Sequence, residues 1–179
     1  MQFLAKFIYF KILGWKLLGT FPDLDKCIVI VVPHTSWVDF FLGLVVRKII
    51  NIEINYIAKK SLFKPPAGWF LRATGGAPID RSERHDSVQL ISGIFKDRKV
   101  FRLALSPEGT RKKVNKWKTG FYYIAKAADV PIVMVAFDYG KKQVKVSQAH
   151  YPTEDRAADF ELYTSFFKGV VGKVPEYSF

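Results

Sequence analysis

A single run of residues narrows the folds open to this chain. From 27 to 32 it reads Cys-Ile-Val-Ile-Val-Val, with no polar side chain and no alternation. A strand with one wet face alternates apolar and polar residues. This one is therefore predicted to be covered on both faces, as strands of parallel sheets are. Apolar strand signals recur at 100–105 and 132–137, with weaker ones at 53–58, 77–80 and 143–147. Between them, apolar residues at helical spacing predict helices over 40–50, 65–72, 87–96, 120–128 and 154–171. Pro65 suits the start of a helix, and Thr153 is the expected N-cap of the last one. Tyr139-Gly140-Lys141 offers the turn of a hairpin between the final two strands. Strands alternating with helices make an α/β sandwich, with a largely parallel central sheet flanked by helices.

With 179 residues and no repeat or linker, the chain reads as one domain over 21–179, preceded by a distinct segment over 1–20. Its one cysteine, Cys27, excludes an internal disulfide and a multi-cysteine zinc site. Residues 3–18 are crowded with Phe, Ile, Leu, Tyr and Trp, broken only by Lys6, Lys11 and Lys16. As a helix this stretch is about 25 Å long, short of the roughly 30 Å hydrocarbon core. Three lysines inside it argue against a membrane span and against a secretory signal. Two readings stay open: an amphipathic helix lying among lipid headgroups, its lysines reaching toward phosphates, or an ordinary helix packed on the domain. The aromatic content and the near absence of a polar face favour the first. Lys and Arg total 28 against 16 for Asp and Glu, a net charge of +12, so an anionic partner is expected.

In sheets of this kind, ligands bind beyond the carboxyl ends of the strands. After the first long strand comes Pro33-His34-Thr35-Ser36-Trp37-Val38-Asp39, after the strand at 77–80 comes Arg81, and after 100–105 comes Ser106-Pro107-Glu108-Gly109-Thr110-Arg111. A parallel sheet brings these segments to one edge. Five residues apart on a regular helix, His34 and Asp39 would point about 140° apart. Across a strand-to-helix turn they can meet. A carboxylate on one imidazole nitrogen then frees the other to take a proton from a hydroxyl. The competing reading makes Asp39 a helix-starting residue paired with Ser36. At Glu108-Gly109-Thr110-Arg111, glycine permits a tight turn, and the guanidinium and hydroxyl suit phosphate oxygens. The competing reading is a solvated turn, and for Arg81 a surface charge.

These residues resemble a known family. His34-Thr35-Ser36-Trp37-Val38-Asp39 is similar to the H-x4-D signature of the glycerolipid acyltransferases, the family of 1-acylglycerol-3-phosphate acyltransferase. Gly76-Ala77-Pro78-Ile79-Asp80-Arg81 resembles its second block, and Pro107-Glu108-Gly109-Thr110-Arg111 matches its third. A chance match to that pentapeptide is on the order of one in ten thousand at this length. Val130-Pro131-Ile132-Val133 resembles the fourth, and all four stand in the family's order. Two positions depart from the pattern: Ser106 where the family usually has Phe, and Met134 where it usually has Pro. Both are expected at the acyl or acceptor pocket.

The resemblance implies an acyltransferase. His34 would be the general base, oriented by Asp39, acting on an acceptor hydroxyl as it attacks an acyl thioester. Arg81 and Arg111 would hold the acceptor's phosphate, with Glu108, Gly109 and Thr110 shaping that site. Donors to the oxyanion are expected among backbone amides at the start of the helix after His34. No metal or resident cofactor is implied. Coenzyme A or acyl carrier protein carries the acyl group as co-substrate, and the default acceptor is 1-acylglycerol-3-phosphate. An amino-acid-containing or other lysolipid is the alternative acceptor, and a noncatalytic membrane lipid-binding relative the alternative function. Expected partners are the lysophospholipid and an anionic membrane surface at the cytoplasmic face, met peripherally or monotopically. Nucleic acid is not expected, because no aromatic-basic sheet signature, helix-turn-helix or zinc spacing is present. His85 and His150 are expected at the surface, and Phe166 and Phe167 in the core.

Overall fold

The computed structural model describes residues 2–79 and 86–178. Along the chain these form α1 (Gln2–Phe7), a π turn (Ile8–Ile12), β1 (Lys16–Leu18), β2 (Lys26–Val32), α2 (Val38–Ile50) and β3 (Asn55–Lys59). A 3-10 turn (Lys60–Phe63) leads to α3 (Ala67–Ala73), β4 (Gly76–Ile79), α4 (Asp86–Asp97) and β5 (Phe101–Leu105). Then come α5 (Gly120–Ala128), β6 (Ile132–Asp138), β7 (Gln143–Val146) and α6 (Arg156–Phe167). The seven strands form one sheet in the order β1-β7-β6-β2-β5-β3-β4. All neighbouring pairs are parallel except β6 and β7.

β2 lies in the middle, with Ile30 registered against Leu105 of β5 on one side and Met134 of β6 on the other. Its side chains divide between two apolar layers, as the period of two requires. Ile28, Ile30 and Val32 enter a cluster with Phe95, Phe121, Tyr163 and Phe167 from α4, α5 and α6. Cys27 and Val29 enter a second cluster with Leu42, Val46 and Ile49 of α2. Each large side chain fully buried this way contributes about 1.5–3 kcal/mol. Burial also pushes the Cys27 thiol up to about 12, so it is an inert core group. The arrangement is the α/β sandwich predicted from the sequence, and it turns the ends of β2 and β5 toward one edge.

The first twenty residues differ from the expected single helix. α1 ends at Phe7, the next turn widens so that the Leu13 amide reaches the Ile8 carbonyl, and residues 16–18 become a strand on the sheet edge. Gly14, at φ 66, supplies the left-handed residue that reverses the chain. The reversal lets Tyr9 and Trp15 both reach the second apolar layer, and the Tyr9 hydroxyl donates to the Lys16 carbonyl at 2.9 Å. On a straight helix, six residues apart, the two rings would point about 120° away from each other. The outward face of α1 is apolar and exposed, with Phe3 83% and Leu4 59% accessible.

Two smaller differences fall near α6. The helix spans Arg156–Phe167 rather than 154–171, and its cap is Asp155, whose carboxylate accepts the Ala158 amide at 3.0 Å. The expected cap, Thr153, instead donates its hydroxyl and its amide to Asp159. His150, expected at the surface, is half-buried and paired. Its Nε2 lies 2.7 Å from the buried Asp159 carboxylate, and its ring meets Tyr163 edge-on. Burial alone would raise the Asp159 carboxyl, but the bonds from His150 and Thr153 hold it below its ordinary range. His85 lies outside the described residues.

Candidate active site

The carboxyl end of β2 runs directly into the turn that opens α2. His34 stands in the turn and Asp39 in the first turn of the helix. Folding back across this turn brings His34 Nδ1 to 3.1 Å from Asp39 Oδ2. The same oxygen accepts the amides of Thr35 and Ser36, each at 2.9 Å, while the Tyr139 hydroxyl donates to Oδ1 at 2.8 Å. Asp39 is 2% exposed. A carboxylate in this ring of donors can only accept from Nδ1–H, and in that tautomer the neutral imidazole carries its lone pair on Nε2. The helix-start reading is present too, since Asp39 accepts the Ser36 amide and the Ser36 hydroxyl accepts the Val38 amide. Asp39 does organise the turn, and in doing so it fixes the imidazole.

The β5 end meets this turn from the side. Glu108 is buried, and its Oε2 accepts the His34 amide at 2.7 Å and the Ser106 hydroxyl at 3.1 Å. Burial pushes its carboxyl up against the pull of these donors. Glu108 thus ties the two strand-end loops together. Its neighbour Gly109 sits at φ 64, a conformation that side chains other than glycine's adopt with strain. The Lys118 side chain lies directly over Gly109, where an added Cβ would fall 2.6 Å from its Nζ. Thr110 and Arg111 are exposed.

His34, Gly109, Thr110 and Arg111 line one cavity of about 1240 Å³, together with Phe40 and Leu44 of α2. That exceeds the roughly 300–1,000 Å³ of an ordinary small-ligand pocket. Ser106 lines it too. Met134 does not: it is buried in the first apolar layer on β6. Arg81 lies outside the described residues. Most of the backbone amides expected to face an oxyanion already have partners at the start of α2, the Trp37 amide excepted among the described residues. His34 donates to Glu108, Thr35 and Ser36 to Asp39, and Val38 to the Ser36 hydroxyl. Among the described residues no group of three or more His, Cys, Asp or Glu side chains is placed to hold a metal.

Tyr139 presents itself in the sequence only as a turn residue. The signal that could have found it is the strand-end rule itself. It is the first residue after β6, whose carboxyl end lies beside that of β2.

Residues 19–138, which contain the whole turn, the Glu108 loop and most of the cavity wall, match the family Acyltransferase. The chain belongs to this family. A protein of Schizosaccharomyces pombe named as an uncharacterized acyltransferase is 30% identical over 156 residues, 75% of this chain and 54% of its own length. The 1-acyl-sn-glycerol-3-phosphate acyltransferase of Saccharomyces cerevisiae is 29% identical, covering 67% of this chain and 41% of the relative. That of Escherichia coli is 32% identical, covering 52% of this chain and 41% of the relative. The chain thus spans about half the length of the curated relatives it matches. The crystal structure of the 1-acyl-sn-glycerophosphate acyltransferase PlsC from Thermotoga maritima superposes with a TM-score of 0.65. It is 20% identical and covers 92% of this chain and 74% of that one, a likeness of fold. The His34 turn stands at the carboxyl edge of that shared sandwich.

Proposed function

We propose that this acyltransferase-family protein moves a fatty acyl group from a thioester to the hydroxyl of a lysophospholipid, with 1-acylglycerol-3-phosphate as default acceptor and phosphatidate as product. The observation that carries this reading is His34 on the wall of a cavity that Arg111 also lines, with Nδ1 3.1 Å from the Asp39 carboxylate and no partner on Nε2 among the described residues. The acceptor hydroxyl gives its proton to Nε2 as its oxygen bonds to the thioester carbonyl carbon. The tetrahedral intermediate then breaks its carbon–sulfur bond, and the imidazolium returns the proton to the departing thiolate. The products are an ester and a thiol, and no acyl-enzyme is needed. Coenzyme A or acyl carrier protein supplies the thioester. Arg111, with Arg81, clamps the acceptor's phosphate.

The reaction is tested by thiol release from palmitoyl-coenzyme A or palmitoyl-acyl carrier protein, with and without lysophosphatidate. Release that depends on the acceptor supports the assignment. Release with neither donor, across a panel of phosphate-bearing and amino-acid-containing lysolipids, would point to a lipid-binding relative without the chemistry. Arg111→Ala should raise the KM for lysophosphatidate by on the order of 10-fold, the loss of one charge-assisted contact, with kcat nearly constant. An unchanged KM would remove Arg111 from the phosphate clamp.

On this reading the protein works at an anionic membrane surface on the cytoplasmic face. No helix among the described residues is long and apolar enough to cross a membrane. Phe3, Leu4 and Phe7 project from α1 beside the exposed Lys6, as an interfacial segment requires. Because Tyr9 and Trp15 are core residues, deleting the whole segment would damage the fold. Replacing Phe3, Leu4 and Phe7 together with Asn leaves both rings in place. It should cut partitioning onto phosphatidylglycerol vesicles by at least about 10-fold, as three buried side chains of this size predict. Unchanged partitioning would assign α1 to packing alone.

A further inference from the structure

We propose that Tyr139 is a positioning residue for the His34–Asp39 pair, holding the carboxylate in the one orientation that keeps the imidazole aimed. The inference rests on the general-base reading above and adds a residue to it from a different part of the chain. The two oxygens of Asp39 have different partners. Oδ2 takes the Thr35 and Ser36 amides and His34 Nδ1, whereas Oδ1 takes the Tyr139 hydroxyl. Three donors on one oxygen do not by themselves fix the carboxylate plane, because rotation about Cβ–Cγ can share them between both oxygens. A donor on Oδ1 stops that rotation. Without it, Oδ1 in a 2% exposed site would have no water to meet and would turn toward the amides, moving Oδ2 away from Nδ1.

Tyr139 is built for such a task. Its amide donates to the Val171 carbonyl at 2.8 Å, its ring meets that of Trp15 in a T-shaped pair at 4.9 Å between centroids, and Lys173 Nζ lies 5.7 Å from the ring centre. Those contacts come from the N-terminal segment and from the chain after α6, so the ring is gripped from two sides. Burial, with the Asp39 carboxylate beside it, pushes its hydroxyl above the ordinary range, and the group stays a neutral donor. Trp15 in turn packs with Tyr9. The first twenty residues therefore stand one ring behind the reacting pair.

The test uses the full chain in mixed micelles with lysophosphatidate and palmitoyl-coenzyme A. Tyr139→Phe keeps the ring against Trp15 and removes only the donor. The expected result is a fall in kcat on the order of 10-fold, the loss of one hydrogen bond to a charged group, with both KM values within about two-fold. In histidine-labelled protein, the His34 Nδ1–H resonance should shift or broaden, which a purely structural role at this distance would not cause. A change confined to KM, an unchanged kcat, or an unmoved resonance would each overturn the proposal. His34→Ala separates this from the reading beneath it. If that variant kept its turnover, the general-base assignment would fail, and the resonance alone would decide whether Tyr139 positions the pair.

Discussion

Alanine at position 34 is expected to lower acceptor-dependent thiol release by about 10²–10⁴-fold, the usual worth of a positioned general base. The loss should fall on kcat, because the imidazole is proposed to act on a proton rather than to bind either substrate. The fold should survive. The His34 side chain is about a third exposed, and its backbone amide, which bonds Glu108, is untouched by the substitution. Asp39 would still hold the Thr35 and Ser36 amides and the Tyr139 hydroxyl. A circular-dichroism melt beside the assay separates the two effects. Full activity in a folded His34→Ala protein would end the general-base mechanism. Loss of activity with loss of structure would instead show that the turn depends on the imidazole.

Asp39→Ala should behave differently, because it removes the acceptor of four donors at a buried position. Stranding the Thr35 and Ser36 amides and the Tyr139 hydroxyl away from water should cost about 2–4 kcal/mol. For a chain of this size that is a fall in Tm of about 5–15 °C. Turnover should fall by a similar factor as well, since His34 would lose both its tautomer and its aim. The contrast between the two alanines is the informative result: equal activity loss with unequal stability loss. A melting temperature matching the wild type would mean that the turn is held by other contacts, and that Asp39 acts on the imidazole alone.

The sequence showed the sheet because the central strands β2 and β6 carry their burial in composition. A strand covered on both faces has no room for polar residues, so its pattern is unmistakable. It showed the His34 turn and the Glu108 loop because strand ends are where a parallel sheet places its chemistry. What it hid depended on distant partners. Gly14 and Trp15 look like ordinary members of an apolar run, and only the edge of β7 makes a strand of residues 16–18. Thr153 and Asp155 are both good caps, and the buried Asp159 decided between them by taking the threonine. Tyr139 reads as a turn residue until its hydroxyl is seen on Asp39, a hundred residues earlier. Local rules find elements; contacts of that span are invisible to them.

The central place of β2 has a consequence for synthesis. Its neighbours in the sheet are β5, which begins at Phe101, and β6, which begins at Ile132. On a ribosome adding about 5–20 residues per second, the Cys-Ile-Val-Ile-Val-Val segment waits several seconds for its first partner and longer for its second. During that interval it is an unpaired, uncharged, β-branched stretch, the kind most prone to pair with another nascent chain. The same strand that organises the finished protein is thus its point of greatest exposure while the protein is being made. Expression yield should depend more on how slowly and how dilutely the chain is produced than on the stability of the finished fold.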